Sequence, residues 1–328
     1  ESYTPDLIIS DIMMPKMDGF ALQSALQSDK NKRVIPFIFL TARSDEPTRR
    51  EGARTGVDDY ITKPFDIDQL LSRIDRLLER TKVFQKNLDA EIGEDFSRRL
   101  LPKQMPSVPG YRIRFYNRAH DQGGGDLFDW TRIDDGSYFI TIGDVMGKGV
   151  RAKFYAFSFL SYVRGTLHAM LRESDSPAEL LRRVNQMLIE DEVMEETFAS
   201  LLLLNWNPEQ HVVTYANAGH CRPILVRPDG AEIIAHSDLI LGLEPGTQFS
   251  DTTFELTPHS ALVLYTDGLM EQRLPSGEIL GEEDIMDVAA SVLDDDEPVE
   301  SLLDEVLARS ESGAFEDDIL VFWLQREA

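Results

Sequence analysis

A single cysteine, Cys221, stands among the 328 residues. An intramolecular disulfide is therefore impossible, and a chain so poor in thiols suits a reducing compartment, so a cytoplasmic protein is expected. Long apolar runs are missing too. None approaches the roughly 20 residues that span a bilayer, and the sequence opens with no signal-peptide pattern, so no membrane partner is expected. Cations are scarce beside acids: 33 Lys and Arg against 58 Asp and Glu give a formal net charge of −25. Phosphate contact needs clustered cations, and this surface repels a polyanion, which excludes an ordinary nucleic-acid binder. The imbalance is local, because residues 231–328 hold 24 acids and three bases. Also absent are His or Cys residues at zinc-binding spacing and a Gly-x-Ser-x-Gly nucleophile motif. What is present, 42% hydrophobic residues over this length, suffices for two domains with cores of their own. The chain begins at Glu1 and not at Met, which is read as a fragment or a processed chain.

Short apolar runs and amphipathic stretches alternate over the first 80 residues, the pattern of βα units around a parallel sheet. Residues 7–9, 36–40 and 58–61 read as strands, 19–28 and 46–55 as helices, and a third helix begins near Asp66, after Lys63-Pro64. Three strands are too few to close such a domain. From Ile67 the apolar positions recur through Leu71, Ile74, Leu78, Phe84, Leu88, Ile92, Phe96 and Leu100, which predicts one long helix stopped by Pro102. At 1.5 Å per residue, a helix of roughly 35 residues runs about 50 Å. It either packs on its own domain or leaves it as a coiled-coil linker of a homodimer, and its length favours the linker. The expected domains are therefore 1–80, a linker at 81–104, and 105–328. Beyond Gly110 the period changes to two at 111–116, 138–142, 198–204, 211–215, 224–226, 261–265 and 319–324. Helices are expected at 152–171, 177–188, 282–293 and 299–308. This predicts an α+β sandwich flanked by helices.

Two sets of residues carry chemistry. In the first domain Asp11 ends a strand, where open parallel sheets place ligands, and Thr41 and Lys63 end the next two. An acid, a hydroxyl and an ammonium there could accept a phosphoryl group on Asp11, with Lys63 and Thr41 holding its oxygens. The stretches Asp11-Ile-Met-Met-Pro-Lys-Met-Asp-Gly-Phe20, Leu40-Thr-Ala42 and Asp58-Asp-Tyr-Ile-Thr-Lys-Pro-Phe65 resemble the receiver domain of bacterial two-component response regulators. The resemblance implies an α/β domain phosphorylated on Asp11 by a histidine kinase, with Thr41 and Tyr60 reporting the modification and a cis Lys63-Pro64 peptide. It also implies Mg²⁺ beside Asp11, held by an acidic pair that follows the family's first strand. This sequence begins near the third strand, so inefficient phosphorylation is expected.

The second set lies in the last two-thirds. Gly123-Gly-Gly-Asp126 leads to Asp129; Thr141-Ile-Gly-Asp144-Val145 ends a strand and is followed by Gly147 and Gly149. Tyr265-Thr-Asp267-Gly268 repeats the pattern, and Asp317-Asp318 precedes the last strand. Glycine lets the backbone turn tightly after each strand. Carboxylates gathered without cationic neighbours repel one another, and hard divalent cations resolve that repulsion. Metal-assisted hydrolysis is the chemistry left. Together with Ser97-Arg-Arg-Leu-Leu-Pro102 and Asn217-Ala-Gly-His220, these stretches resemble metal-dependent protein phosphatases of the PP2C class, in the bacterial SpoIIE and RsbU-like branch. The resemblance implies a phosphoserine/phosphothreonine protein phosphatase with two Mn²⁺ or Mg²⁺ ions. Asp144 would bridge the metals, Val145 would offer its carbonyl and Asp126 would complete one shell, while Asp267 and Asp317 would bind the other ion. It makes Asn217 to His220 a structural turn. Leu320 stands where the family usually has Thr or Ser, at the cost of a supporting hydrogen bond. The implied substrate is a regulatory phosphoprotein such as an anti-sigma factor antagonist. The alternative is an adaptor, a phosphatase fold that binds a partner under receiver control without hydrolysis.

Overall fold

The computed structural model describes residues 5–29, 32, 35–42, 58–102, 104–118, 125–133, 136–147, 149–170, 174–194, 197–315 and 317–327. Side chains of residues 84–100, 149–151 and 193 lie outside that description, as does the helix expected at 46–55. The chain divides into two compact units, Glu1–Leu88 and Asp89–Ala328.

In the first unit three parallel strands, β1 (Ile8–Asp11), β2 (Phe37–Ala42) and β3 (Asp59–Lys63), form a sheet in the order β1-β2-β3. Helix α1 (Gly19–Gln27) is capped by Asp18, whose carboxylate accepts from Ala21 N–H at 2.8 Å. Its first residue must be glycine: a Cβ on Gly19 would lie 2.6 Å from the Asp11 carbonyl oxygen. Thus Asp18-Gly19 caps a helix and lets it approach the strand that ends in Asp11. Phe37, Phe39 and Ile12 form the buried core. The Lys63-Pro64 peptide is cis. Helix α2 (Ile67–Leu100) is one continuous 34-residue helix. Its start is fixed by Asp66, whose carboxylate accepts from the N–H groups of Asp68 and Gln69.

The second unit is built on two five-stranded antiparallel sheets. One has the order β10-β9-β12-β13-β4, from β4 (Tyr111–Arg118), β9 (Ile224–Arg227), β10 (Gly230–Ile233), β12 (Ala261–Tyr265) and β13 (Ile319–Arg326). The other has the order β11-β8-β7-β6-β5, from β5 (Leu127–Arg132), β6 (Tyr138–Val145), β7 (Ala199–Asn207), β8 (Val212–Ala218) and β11 (Thr252–Glu255). Helices α3 (Gly149–Met170) and α4 (Pro177–Glu190) pack on the outer face of the second sheet, and α5 (Glu282–Ser291) and α6 (Pro298–Arg309) on that of the first.

Period-two alternation builds these layers. Along β7, Leu202 and Leu204 face the core between the sheets, while Leu201 and Leu203 face α3 and α4. Along β13, Leu320, Phe322 and Leu324 point inward, and Val321 and Trp323 point to α5 and α6. Both faces are covered, so these strands read as continuous apolar runs, although antiparallel sheets often leave one face wet. β5, β10 and β11 are strands the sequence did not betray. β10 and β11 are four-residue edge strands with partly exposed side chains, and β5 carries a buried acid, Asp129.

Candidate active site

Strand ends gather the acids. β6 ends in Asp144 and Val145, β5 starts directly after Asp126, β12 runs into Thr266 and Asp267, and Asp317 and Asp318 precede β13. Two glycines permit the close approach. A Cβ on Gly125 would lie 2.1 Å from the Val145 carbonyl oxygen, and one on Gly268 would lie 2.1 Å from the Asp318 carbonyl oxygen. The Val145 N–H also donates to the Gly125 carbonyl at 3.2 Å, which brings the Asp126 turn to the end of β6.

The electrostatics follow. Burial, then the neighbouring Asp144, pushes Asp126 well above the ordinary carboxylate range. Asp144 is raised to about 7, first by burial and then by Asp267, Asp318 and Asp317. Asp267 is raised by burial and by Asp317. The charges that weigh most on all three are other aspartates, so the five acids share one region. Asp318, quoted in the sequence but given no role there, is buried and acts on each of the three.

The donor chemistry fits a hard divalent cation: carboxylates crowded together, held ionised only at a cost, with a backbone carbonyl beside them. Among the described residues no three His, Cys, Asp or Glu side chains already close into a metal-holding group.

Thr266, fully buried, orders the cluster. Its hydroxyl donates to Asp126 Oδ2 at 2.8 Å and accepts from Leu320 N–H at 3.1 Å. The hydroxyl thus serves both ways, accepting the Leu320 N–H on one lone pair and giving its proton to the carboxylate. The Leu320 side chain itself fills the core between the sheets. Nothing in the strand pattern marked Thr266; only its neighbours in space do.

Asp144 and Asp267 line a cleft of about 360 Å³ with Ser200, His220, Ile240 and Met146 among its other walls. His220 closes a turn: its N–H donates to Asn217 Oδ1 at 2.8 Å, and Asn217 Nδ2 donates to its carbonyl at 3.0 Å. Its Nδ1 lies 2.9 Å from Ser200 Oγ, and Nε2 is buried, facing the Tyr265 carbonyl without closing a hydrogen bond. Asp129 turns away from the cluster and pairs through both oxygens with Arg164 of α3, at 2.7 and 3.0 Å.

In the first unit Lys63, the last residue of β3, donates to Asp11 Oδ2, and this bond holds the Asp11 carboxyl below the usual range. Thr41 lies near the end of β2, fully buried, its hydroxyl without a hydrogen bond among the described residues. Tyr60 sits opposite Phe39 in the sheet, with ring centroids 5.7 Å apart. Asp11, Thr41 and Lys63 occupy successive register positions near the carboxyl ends of the three strands, and Tyr60 lies in the row two positions before Thr41.

The sequence pattern of the stage II sporulation protein E (SpoIIE) family matches residues 134–327, more than half of the chain. The chain belongs to the SpoIIE family. That of the response regulator receiver domain matches residues 1–75. The fold of the SpoIIE part agrees with solved structures. The RsbU and RsbW domains of Rv1364c from Mycobacterium tuberculosis align at 27% identity with a TM-score of 0.55, over 68% of this chain and 62% of that one. The SiaA-PP2C domain of Pseudomonas aeruginosa aligns over 77% of this chain and 98% of its own, at 16% identity and a TM-score of 0.59. The receiver part is similar to the DNA-binding dual master transcriptional regulator RpaA of Synechocystis sp., 37% identical over 105 residues, 32% of this chain and 44% of RpaA. The SpoIIE-family chain thus spans less than half the length of that curated relative. Among its described residues no helix is long and apolar enough to cross a membrane.

Proposed function

We propose that the chain is a response regulator whose output is metal-dependent hydrolysis of phosphoserine or phosphothreonine in a regulatory protein, an anti-sigma factor antagonist being the class that fits RsbU-like relatives. The observation that carries this reading is the convergence of Asp126, Asp144, Asp267, Asp317 and Asp318 at one end of the sandwich, each of the first three raised by burial and by its fellow acids. Asp144, central to that cluster, would bridge two Mn²⁺ or Mg²⁺ ions, with Asp126 and the Val145 carbonyl on one and Asp267 and Asp317 on the other. Such ions supply an activated water and a counter-charge for the phosphoryl oxygens. The chain's own part is to hold the acids at fixed strand ends, through Gly125, Gly268 and Thr266, and to leave Asp144 and Asp267 open to the cleft.

The receiver would take its phosphoryl group on Asp11 from a histidine kinase, with Mg²⁺ where an acidic pair completes that site, and Lys63, Thr41 and Tyr60 would respond. Residues 81–104, of which 81–100 lie in α2, would connect 1–80 with 105–328 and pair two copies as a coiled coil in the cytoplasm. Retention of all four aspartates expected as ligands favours catalysis over an adaptor role. The test is hydrolysis of p-nitrophenyl phosphate and a phosphoserine peptide with Mn²⁺, using Asp144→Ala as control and an acyl-phosphate donor to load Asp11. Turnover in the parent and a loss of at least a hundredfold in the variant are expected. Equal inactivity of both would leave the adaptor.

A further inference from the structure

Ser200 stands directly opposite Asp144 in the β6–β7 ladder, so the two side chains leave the second sheet on the same face. Both line the cleft of about 360 Å³, together with His220 and Asp267. Ser200 is half-buried, whereas His220 is buried and held by the turn that Asn217 closes. One contact joins them, Ser200 Oγ to His220 Nδ1 at 2.9 Å. What Ser200 can offer a ligand depends on which of these two atoms carries the hydrogen.

The far side of the ring decides it. Burial keeps the imidazole uncharged, so only one of its nitrogens bears a proton. Nε2 is buried and faces the Tyr265 carbonyl, where a bare lone pair would oppose the carbonyl oxygen, so the proton sits on Nε2. Nδ1 is then an acceptor, and the Ser200 hydroxyl donates to it. With its single proton committed, Ser200 presents only the lone pairs of Oγ to the cleft. The carboxylates in the walls are acceptors as well: Asp144, Asp267 and Glu282, the last of which already receives Arg222 Nε at 2.8 Å. Among the described residues, the walls of this cleft include no Lys or Arg. An occupant that reaches Ser200 therefore meets an acceptor and must bring a donor.

We propose that Ser200 is a specificity-determining residue that accepts a hydrogen bond from a backbone N–H of the substrate, at or next to its phosphorylated residue. This rests on the phosphatase reading above and deepens it, because it names how the site tells a phosphorylated polypeptide from a simple phosphate ester. A phosphorylated segment brings two kinds of polar group into the cleft. Its phosphoryl oxygens are acceptors, which Ser200 cannot serve and which belong with the cations at Asp144 and Asp267. Its main-chain N–H groups are donors, and a donor buried without a partner is costly. An acceptor fixed opposite Asp144 thus favours a chain that lies along β7 with its ester toward the aspartates.

The test uses the full chain with Mn²⁺, p-nitrophenyl phosphate, a phosphoserine peptide, and versions of that peptide methylated on a single backbone nitrogen: that of the phosphoserine, of the residue before it or of the residue after it. In the parent one of these methylations is expected to lower kcat/KM roughly tenfold, the worth of one hydrogen bond. In Ser200→Ala the same methylation should cost about threefold or less, and Ser200→Thr, which keeps a hydroxyl, should restore the parent's penalty. Each penalty compares two substrates on one preparation, so a partly unfolded variant does not imitate the result. No penalty in the parent, or one that survives in Ser200→Ala, overturns the proposal. So does a loss in Ser200→Ala as large on p-nitrophenyl phosphate as on the unmethylated peptide, which assigns Ser200 to the attacking water and not to the substrate chain. A parent inactive on p-nitrophenyl phosphate and peptide alike would instead bring down the phosphatase reading, and this one with it.

Discussion

His220 is uncharged at neutral pH because its surroundings exclude the proton: burial lowers its imidazole to about 4, against an ordinary value near 6.5. Between those values the unfolded chain binds a proton that the native ring refuses. Stability from this group is complete above about pH 6.5 and is lost as pH falls toward 4, an effect of up to about 3 kcal/mol. Asp144, Asp267 and Glu282 line the same cleft, so the histidine's share is isolated by comparing variant with parent. Urea unfolding at pH 7.5 and pH 5.0 should show His220→Gln losing less stability on acidification than the parent. Equal losses would place the acid sensitivity elsewhere. The residue's role was only half legible: Asn217-Ala-Gly-His220 reads as a turn from its glycine, whereas the partnership with Ser200 joins positions 20 apart and exists only once β7 and β8 pair.

At the scale of elements, the site depends on how strand ends are tied. Thr266 links three of them, for it follows β12, receives the Leu320 N–H from β13 and donates to Asp126 at the start of β5. Thr266→Val keeps the shape and removes the hydroxyl, which leaves a buried N–H and a carboxylate oxygen unpaired at a cost of about 1–3 kcal/mol. Mn²⁺ binding, measured by calorimetry on metal-stripped protein, should weaken roughly 10- to 100-fold. Thr266→Ser should restore most of it, and Thr266→Val binding like the parent would show that Asp126 needs no such support. The long helix α2 was readable from its period, and β7, β12 and β13 from short apolar runs that carry β-branched or aromatic residues and are bounded by turn residues. β5 was not, since its buried Asp129 breaks the apolar pattern and is tolerated only because Arg164, on α3, forks onto it.

For the whole molecule the governing quantity is charge. Two bound divalent ions would take the formal −25 to −21, a small change overall and a large one where five acids share a strand-end cluster. Ions that bind only the folded chain stabilise it by mass action, by about 2.7 kcal/mol at a hundred times Kd. Mn²⁺ added to chelator-treated protein should therefore raise Tm by several degrees, and Asp144→Ala should abolish the rise; an unchanged Tm in the parent would mean that the cluster holds no metal. Sequence by itself determined the two kinds of domain, the helix of residues 67–100 and which aspartates end strands, because strand period, glycine turns and helix caps are local and leave their mark in adjacent residues. Only the tertiary structure decided that Thr266 donates its hydroxyl to Asp126 and that Asp318 joins the cluster. Those facts depend on distances between segments up to 140 residues apart, and such distances come into being only when the two sheets close on their common core.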